Sequence, residues 1–302
     1  MIDKELGSTG VRIPELGIGT WEYHAGPEPL RKGLEAGAWF IDTAESYGAE
    51  EVVGQAIRGV RDRVFLATKV SPWNYHRADI HKAADGSLQR LGVDVIDLYQ
   101  LHYPNPEIPI EETMGALEEL VDAGKVRFIG VSNFSVDQLK EAQAALSRHP
   151  IVSNQVRYNI IDRTIEKDIL PYCRANQVTV IAYSPLGRYE SRVRDCDPTG
   201  VIDEVAKRTG KSRIQVILNW CLCKDGVVAI PKGNSVEHVL ENCAASDWRL
   251  NAEQLALLDS RIQYRRRGRL EMLARQFLPN RLIAIARGAV NRLPRSVRRH
   301  FT

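Results

Sequence analysis

Short runs of consecutive apolar residues alternate along the chain with stretches in which apolar residues recur every three or four positions. Eight such runs end at turn residues, a pattern typical of parallel strands buried on both faces. They are ELGIGTW, WFIDTA, VFLATKV, VIDLYQLHY, VRFIGVSN, VSNQVRYN, VTVIAYSP and GVVAIPKG. An earlier stretch, KELGSTGVRIP, predicts a short N-terminal hairpin.

Amphipathic helices are predicted between these runs, for example in EPLRKGLEAG, IEETMGALEELVDAG and SVDQLKEAQAAL. In the second of these, Met114, Leu117, Leu120 and Val121 form one apolar stripe. Ser135 stands where it can cap the third helix.

Eight strand–helix units predict an α/β fold, namely a (β/α)8 TIM barrel, which typically needs about 250 residues. A doubly wound sheet is the alternative. It is disfavoured because no G-x-G-x-x-G follows a strand, and GIGTWEY departs from that motif after its second glycine. We expect one barrel domain over residues 1–262 and a basic, amphipathic helical C-terminal extension over residues 263–302.

Charge divides the chain at nearly the same place. The 302 residues have a net charge of +3, yet residues 262–302 contain eleven arginines, no lysine and a single acid, Glu271. This segment therefore carries +10, and the residues before it carry −7. Such a tail predicts docking on an anionic membrane surface or on an acidic protein partner. A solvated helix or partial disorder is the alternative, and nucleic acid is not expected because aromatic residues are nearly absent from the tail.

Other features exclude several classes of protein. The sequence has no run of about 18 apolar residues and no secretory signal at its start, so no spanning helix is predicted. Five cysteines are too few for a disulfide framework, and Cys221 and Cys223 lack a second pair to complete a metal site. We therefore expect a cytoplasmic protein without a metal, peripheral to a membrane at most through the extension.

Polar side chains interrupt or follow three of the predicted strands. Asp42 and Tyr47 come after the second run, Lys69 ends the third and His102 follows the fourth. The carboxyl ends of barrel strands meet at one mouth. Each residue alone has a structural explanation, such as a helix cap or a hydrogen-bonded core histidine. Together they predict one catalytic site.

The four side chains suit proton donation to a carbonyl that is being reduced. A phenol has a pKa of about 10. An ammonium about 4 Å away favours the phenolate by up to about 4 kcal/mol at an effective dielectric near 20. We expect Asp42 to hold Lys69 and His102 to hydrogen-bond the substrate oxygen. A donor arranged in this way can protonate the alkoxide that an incoming hydride creates.

Several motifs resemble, in order, those of the aldo-keto reductase superfamily. They are FIDTAESYG, ATK, QLHYP, GKVRFIGVSNF, NQVRYN, YSPLG and IPKGNSVEHVLEN. The resemblance implies an NADPH-dependent oxidoreductase that reduces an aldehyde or ketone to an alcohol. It also implies that Tyr47 is the general acid, Lys69 and Asp42 its activating pair, and His102 the residue that orients the carbonyl. The alternatives are a regulatory or adaptor subunit that senses redox state through the cofactor site, and an alcohol or sugar dehydrogenase working in the reverse direction.

The same resemblance implies a cofactor site along the mouth of the barrel. Its implied residues are Thr20, Trp21, Asp42, Ser132, Asn133, Gln155, Tyr183, Ser184, Leu186, Gly187, Lys232, Asn234, His238, Glu241 and Asn242. The nicotinamide carboxamide would lie on Ser132, Asn133 and Gln155, with Tyr183 stacked on the ring. Lys232 and the start of the following helix offer a phosphate site.

The chain departs from the family pattern at Gly233, where the family has serine or threonine, and at His238, where the family has an arginine that pairs with the 2′-phosphate of NADPH. Histidine grips phosphate less well than arginine, so NADH stays open as an alternative cofactor. The substrate pocket is predicted to be walled by Trp21, His24, Trp73 and Tyr103. An aromatic wall suits a hydrophobic or a sugar-like carbonyl compound.

Overall fold

The computed structural model describes residues 1–188 and 190–264. Strands β1 (Asp3–Glu5) and β2 (Arg12–Pro14) pair antiparallel and form the predicted N-terminal hairpin. The other strands are β3 (Ile18–Gly19), β4 (Phe40–Asp42), β5 (Phe65–Val70), β6 (Ile96–Leu101), β7 (Val126–Ser132), β8 (Ile151–Arg157), β9 (Thr179–Tyr183) and β10 (Val227–Ala229). In the described ranges these eight form one sheet in chain order, and each neighbouring pair is parallel.

The first and last strands of this sheet meet and close it into a barrel. Leu16 forms a parallel bridge with Ala229. The amide of Gly17 donates to the Ala229 carbonyl at 2.9 Å, and the amide of Gly19 donates to the Pro231 carbonyl at 3.0 Å. A side chain at Gly19 would place its Cβ 2.7 Å from the Ile230 carbonyl oxygen, so glycine is needed where the two strands approach. The predicted (β/α)8 barrel is confirmed.

Helices follow the strands of the barrel, and the last two come after β10. They are α1 (Pro27–Glu35), α2 (Glu50–Ile57), α3 (Arg77–Leu91), α4 (Ile110–Asp122), α5 (Val136–Ala144), α6 (Ile169–Ala175), α7 (Glu190–Asp195), α8 (Val201–Thr209), α9 (Arg213–Leu222), α10 (Val236–Cys243) and α11 (Ala252–Arg261). Ser135 caps α5 in a reciprocal capping box with Gln138, as its position predicted. On α4 the stripe Met114, Leu117 and Leu120 is buried.

The barrel interior has its own apolar core, separate from the core between sheet and helices. Phe40, Ala67 and Leu98 belong to it, together with Leu6 and Ile13 of the hairpin, which close its amino-terminal end. Side chains two residues apart on a strand face the same side. Asp42, Lys69 and Gln100 therefore follow these apolar residues into the lumen and make the opposite end of the barrel polar.

The predicted boundary at residue 262 falls just after α11, which ends at Arg261. All but the first two residues of the basic extension lie outside the described residues, so the division into residues 1–262 and 263–302 stays a prediction. Within residues 1–188 and 190–264, no helix combines the length and the apolar character needed to cross a bilayer.

Candidate active site

A buried ion pair lies at the carboxyl ends of β4 and β5. Lys69 Nζ is 2.7 Å from Asp42 Oδ2, and both side chains are almost fully excluded from solvent. The ammonium also donates to the Thr43 carbonyl at 2.8 Å and to the Tyr47 hydroxyl at 3.4 Å. A buried lysine without such acceptors would be strongly destabilising. The structure thus brings together the ammonium, carboxylate and phenol that the strand ends predicted.

Tyr47 is held on a single 3-10 turn, Glu45–Tyr47, which follows β4 directly. The next residue, Gly48, ends this turn with a left-handed backbone (φ 68°), a conformation that glycine adopts without strain. The carboxylate of Glu45 accepts from the amide of Ser71 at 2.6 Å and from Asn74 Nδ2 at 3.0 Å. Because Ser71 lies just beyond β5, these bonds tie the turn that carries the phenol to the strand that carries Lys69.

His102 completes the group from β6. Its Nε2 lies 3.4 Å from the Tyr47 hydroxyl oxygen, and the two rings meet edge to face with centroids 5.4 Å apart. Tyr103 stacks on the imidazole, with centroids 4.8 Å apart and planes 17° from parallel. The phenol hydroxyl therefore has two nitrogen neighbours at equal distance, one cationic and one imidazole.

The electrostatics of the phenol differ from the expectation. Burial raises the pKa of Tyr47 well above its usual value, and the negative charge of Asp42 raises it further. Burial also lowers the pKa of Lys69, while Asp42 acts in the opposite direction. The expected acidification by the lysine does not dominate in the structure at rest. Tyr47 consequently stays protonated, which is the form that a proton donor needs.

The second oxygen of Asp42 is bound by two glutamine amides. Gln155 Nε2 donates to Asp42 Oδ1 at 2.6 Å, and Gln100 Nε2 donates to the same oxygen at 3.3 Å. Gln155 was expected in the cofactor site but not as a donor to Asp42, and Gln100 was not expected in the site at all. Its signal was present in the sequence, because Gln100 is a polar residue in an apolar strand and stands two positions before His102.

The residues expected to wall the substrate pocket differ in exposure. Trp73 lies on the 3-10 helix Pro72–Asn74 with 69% of its surface exposed, and Trp21 is 40% exposed. The guanidinium of Arg188 lies 4.8 Å from the centre of the Trp21 ring. The backbone amide of His24 donates to Asn234 Oδ1 at 3.3 Å. Two exposed indoles near a polar mouth are consistent with a surface that a ligand covers.

Comparisons with known proteins agree with this geometry. A family model described as the aldo/keto reductase family matches residues 15–263. The chain belongs to the aldo/keto reductase family. Methylglyoxal reductase YeaE of Escherichia coli is 38% identical over 262 residues, which cover 83% of this chain and 92% of that protein.

Solved structures extend the comparison to the whole barrel. An aldo-keto reductase from Klebsiella pneumoniae in complex with NADPH superposes with a TM-score of 0.80 at 41% identity, covering 88% of this chain and 98% of that one. The thermostable aldo-keto reductase Tm1743, in complex with the inhibitor epalrestat, gives a TM-score of 0.80 at 43% identity, covering 86% and 99%. As a member of this family, the chain is an NAD(P)H-dependent aldo-keto reductase.

The residues expected at the nicotinamide lie together in this aldo-keto reductase. Ser132 Oγ donates to the Gln155 carbonyl at 2.8 Å, and Asn133 Nδ2 donates to the His102 carbonyl at 3.1 Å. Asn133 has a left-handed backbone (φ 66°), and its Oδ1 accepts from the Tyr183 hydroxyl at 3.0 Å. The carboxamide candidates are thus one hydrogen-bonded cluster at the ends of β7, β8 and β9.

The side-chain amide of Gln155 gives a direct test of whether a carboxamide fits. A carboxylate only accepts hydrogen bonds, so the Gln155 nitrogen has to face Asp42. Its oxygen is then the atom left to accept a hydrogen bond from a ligand. A nicotinamide carboxamide carries an NH2 donor group, so the residues present fit this part of the cofactor.

The expected phosphate residues lie across the mouth around β10 and α10. Lys232 Nζ donates to the Glu22 carbonyl at 3.1 Å, and Asn242 Nδ2 donates to the Lys232 carbonyl at 3.4 Å. Ser235 caps α10 by accepting from the amide of His238 at 3.2 Å. A lysine beside a helix start is a suitable site for a phosphate.

The other expected cofactor residues have partners of their own. Thr20 is buried, and both its amide and its hydroxyl donate to the Asp42 carbonyl at 3.0 Å. Glu241 Oε1 accepts from the Ser212 hydroxyl at 2.7 Å. Ser184, Leu186 and Gly187 lie in the loop after β9, where the amide of Gly187 donates to the Ser184 carbonyl at 3.0 Å. Thr20 therefore supports Asp42, while the loop residues border the same end of the barrel.

Proposed function

We propose that this aldo-keto reductase uses NADPH to reduce an aldehyde or ketone to an alcohol, with Tyr47 as the general acid. One observation carries the proposal: Lys69 Nζ lies within hydrogen-bonding distance of both Asp42 Oδ2 (2.7 Å) and the Tyr47 hydroxyl (3.4 Å). The phenol, its ammonium neighbour and His102 all stand at the carboxyl end of the barrel, the end at which TIM-barrel enzymes place their active sites.

Each side chain has a defined part in the proton transfer. The Tyr47 hydroxyl donates its proton to the carbonyl oxygen as that oxygen becomes an alkoxide. The Lys69 ammonium, 3.4 Å away, stabilises the phenolate left behind. Asp42 keeps the buried ammonium in place, and His102, 3.4 Å from the same hydroxyl, orients the substrate oxygen. NADPH, when bound, supplies the hydride.

The raised pKa of Tyr47 is compatible with this role. A phenol with a high pKa in the resting protein is fully protonated at neutral pH. The ammonium acts mainly once negative charge develops on the phenol oxygen, which is the moment at which stabilisation lowers the barrier.

Cofactor binding is proposed along the residues named above. Ser132, Asn133 and Gln155 would hold the carboxamide and Tyr183 would cover the ring. Ser184, Leu186, Gly187, Lys232 and Asn234 would border the phosphates, and His238, Glu241 and Asn242 the adenosine end. NADPH is the preferred cofactor because Lys232 supplies a cation beside the start of α10. NADP- and NADPH-bound structures among the similar aldo-keto reductases support this assignment.

The substrate is proposed to be a small carbonyl compound that enters past Trp21, His24, Trp73 and Tyr103. The name of the similar Escherichia coli protein, a methylglyoxal reductase, makes 2-oxoaldehydes the first compounds to screen. Aromatic aldehydes such as 4-nitrobenzaldehyde suit the two exposed indoles equally well.

Substitution of Tyr47 by phenylalanine tests the proposal. Tyr47→Phe is expected to lower kcat for NADPH-dependent reduction of 4-nitrobenzaldehyde by about 10²–10⁴-fold, the usual contribution of a general acid. The dissociation constant for NADPH, measured by quenching of tryptophan fluorescence, is expected to stay unchanged. Turnover by Tyr47→Phe at the wild-type rate would reject Tyr47 as the acid.

We further propose that the C-terminal extension, residues 263–302, docks on an anionic membrane surface. The support is its composition, since residues 262–302 contain eleven arginines and one acid. The intact chain is expected to sediment with vesicles containing phosphatidylserine and not with neutral vesicles. Replacing Arg265, Arg266, Arg267 and Arg269 by glutamine should weaken sedimentation. Equal and negligible sedimentation with both vesicles would remove the membrane proposal, and capture by an acidic protein would then be the alternative.

A further inference from the structure

Three side chains from alternate strands form one buried layer across the barrel lumen. Asp42 comes from β4, Gln100 from β6 and Gln155 from β8, and all three are almost completely buried. Alternate strands contribute the side chains of one layer in a (β/α)8 barrel. β4 and β8 do not pair in the sheet. Their side chains meet only across the lumen, and Gln100 comes from the strand midway between them.

The hydrogen bonds within this layer form a closed set. Gln100 Nε2 and Gln155 Nε2 both donate to Asp42 Oδ1, at 3.3 and 2.6 Å. Gln155 Nε2 also lies 3.5 Å from Gln100 Oε1. Since the carboxylate can only accept, both amide nitrogens have to face it. The orientation of each glutamine is therefore determined by Asp42, and the orientation of the Gln155 oxygen follows from it.

The neighbouring strand leaves room for Gln100. A Cβ at Gly130 of β7 would lie 2.9 Å from Gln100 Cγ and 2.5 Å from Ser153 Oγ. Gly130 is paired with Gln100 in the sheet register. A glycine at this position allows the long amide side chain to cross the lumen and reach Asp42.

We propose that Gln100 is a positioning residue that couples the recognition of the nicotinamide carboxamide by Gln155 to the Asp42–Lys69 pair. The inference rests on the proposed function, because it assigns Gln155 to the carboxamide and Lys69 to the phenol. Gln100 touches neither substrate nor cofactor. It fixes the Asp42 carboxylate and the Gln155 amide relative to each other. The proton donor, which Asp42 positions through Lys69, is therefore aligned with the carboxamide site at Gln155.

Loss of Gln100 should change the protonation behaviour of the site. Its amide dipole offsets part of the Asp42 charge, and no bulk water is present in the buried layer to screen that charge. Without it, the carboxylate exerts a stronger field on Tyr47 and Lys69, and a stronger negative field raises the pKa of both groups. Tyr47 then gives up its proton less readily, and the decline of kcat at high pH shifts to a higher pH. Gln155 also loses a neighbour that limits its rotation, so NADPH binds more weakly.

The test compares Gln100→Met, which keeps the length of the side chain and removes the amide, with Ser153→Ala as a matched control. The Ser153 hydroxyl is buried in the same region and has no hydrogen-bond partner among the described residues. For Gln100→Met we expect at least a threefold rise in the NADPH dissociation constant and a roughly tenfold lower kcat. The pH at which kcat declines on the alkaline side should rise by about half a unit. This is a small fraction of the pKa shifts that neighbouring charges can produce. Ser153→Ala should keep the wild-type values.

The outcomes are separable. If either the NADPH dissociation constant of Gln100→Met or the alkaline pH at which its kcat declines stays at the wild-type value, the coupling role is overturned. It is also overturned if Ser153→Ala moves them equally. If Gln100→Met does not fold, Gln100→Asn, whose amide is one methylene too short, replaces it under the same criteria. The NADPH dissociation constant is measured without turnover. It therefore tests the role of Gln100 even if the wild-type protein reduces no carbonyl compound. Absence of reduction by the wild type would reject the proposed function but not the role of Gln100.

Discussion

The carboxylate of Glu45 accepts a hydrogen bond from the backbone amide of Ser71 at 2.6 Å, across 26 residues of sequence. Glu45 begins the 3-10 turn that ends in Tyr47, and Ser71 follows the strand that carries Lys69. The distance between the phenol and the ammonium is therefore set partly by a carboxylate whose hydrogen bonds go to Ser71 and Asn74. A misplacement of about 1 Å can cost about a hundredfold in rate, so this tether should matter for turnover.

Glu45→Ala is expected to lower kcat by about tenfold or more, because the turn that carries Tyr47 loses its link to β5. Glu45→Gln keeps a side-chain oxygen that can accept from Ser71, and it should retain most of the activity. Steady-state kinetics with NADPH and 4-nitrobenzaldehyde measure both variants. Equal activity of Glu45→Ala and the wild type would show that the turn is held without this carboxylate.

Lys69→Met is expected to destabilise the protein by about 3–5 kcal/mol, because it leaves the Asp42 carboxylate buried without its cation. The double variant Lys69→Met/Asp42→Asn removes both charges and should recover most of that loss. Asparagine at position 42 still offers an acceptor to Gln100 and Gln155. Urea unfolding measures the stability, and activity should be lost in both variants. A double variant as unstable as Lys69→Met would contradict the unpaired charge as the cause.

His238→Arg is expected to tighten NADPH binding by about tenfold, which is the effect expected of one added charge-assisted hydrogen bond. NADH binding should stay unchanged. A guanidinium can contact a phosphate through two parallel hydrogen bonds, which an imidazole cannot do. Titration of each cofactor by fluorescence quenching gives the two dissociation constants. His238→Lys is the matched control, because lysine adds a charge but cannot form two parallel hydrogen bonds to one phosphate. Its NADPH dissociation constant should fall between those of the wild type and His238→Arg. Equal tightening for NADH would place position 238 away from the 2′-phosphate.

Glu118 is expected to contribute stability that disappears in acid. Burial tends to raise its pKa, but hydrogen bonds from the amides of Arg148, Ser147 and His149 lower the pKa to about 2. A carboxyl whose pKa is lower in the folded state than in the unfolded state stabilises the fold above its unfolded pKa. That contribution falls away as the pH drops from about 4.5 toward 2.

Urea midpoints of the wild type and Glu118→Gln should therefore differ most at neutral pH and converge near pH 2–3. The exposed glutamate Glu141 on α5 offers a control, and Glu141→Gln should track the wild type at every pH. A difference between the wild type and Glu118→Gln that does not change with pH would mean that packing, rather than the charge, supplies the stability.

Most of the architecture was determined by the sequence alone. The eight apolar runs became β3 to β10 in order, since each run is short, continuous and bounded by turn residues. The capping role of Ser135 and the hairpin were equally readable, because caps and hairpins depend on residues close together in the chain. The positions of Asp42, Tyr47, Lys69 and His102 at one mouth followed from the rule that parallel strands end on the same side.

Tertiary structure alone decided how these groups act on one another. The rise in the Tyr47 pKa arises from burial, which depends on everything that surrounds the phenol and not on the motif that contains it. Gln100 stands out in the sequence as a polar residue in an apolar strand, but its partner is decided only when the closed barrel brings β4, β6 and β8 across one lumen and joins its amide to Asp42. Glu45 likewise gains its tethering contact only when the 3-10 turn folds against the end of β5. Local periodicity determines where strands begin and end, whereas distances across a barrel depend on its closure, which no segment of the chain encodes by itself.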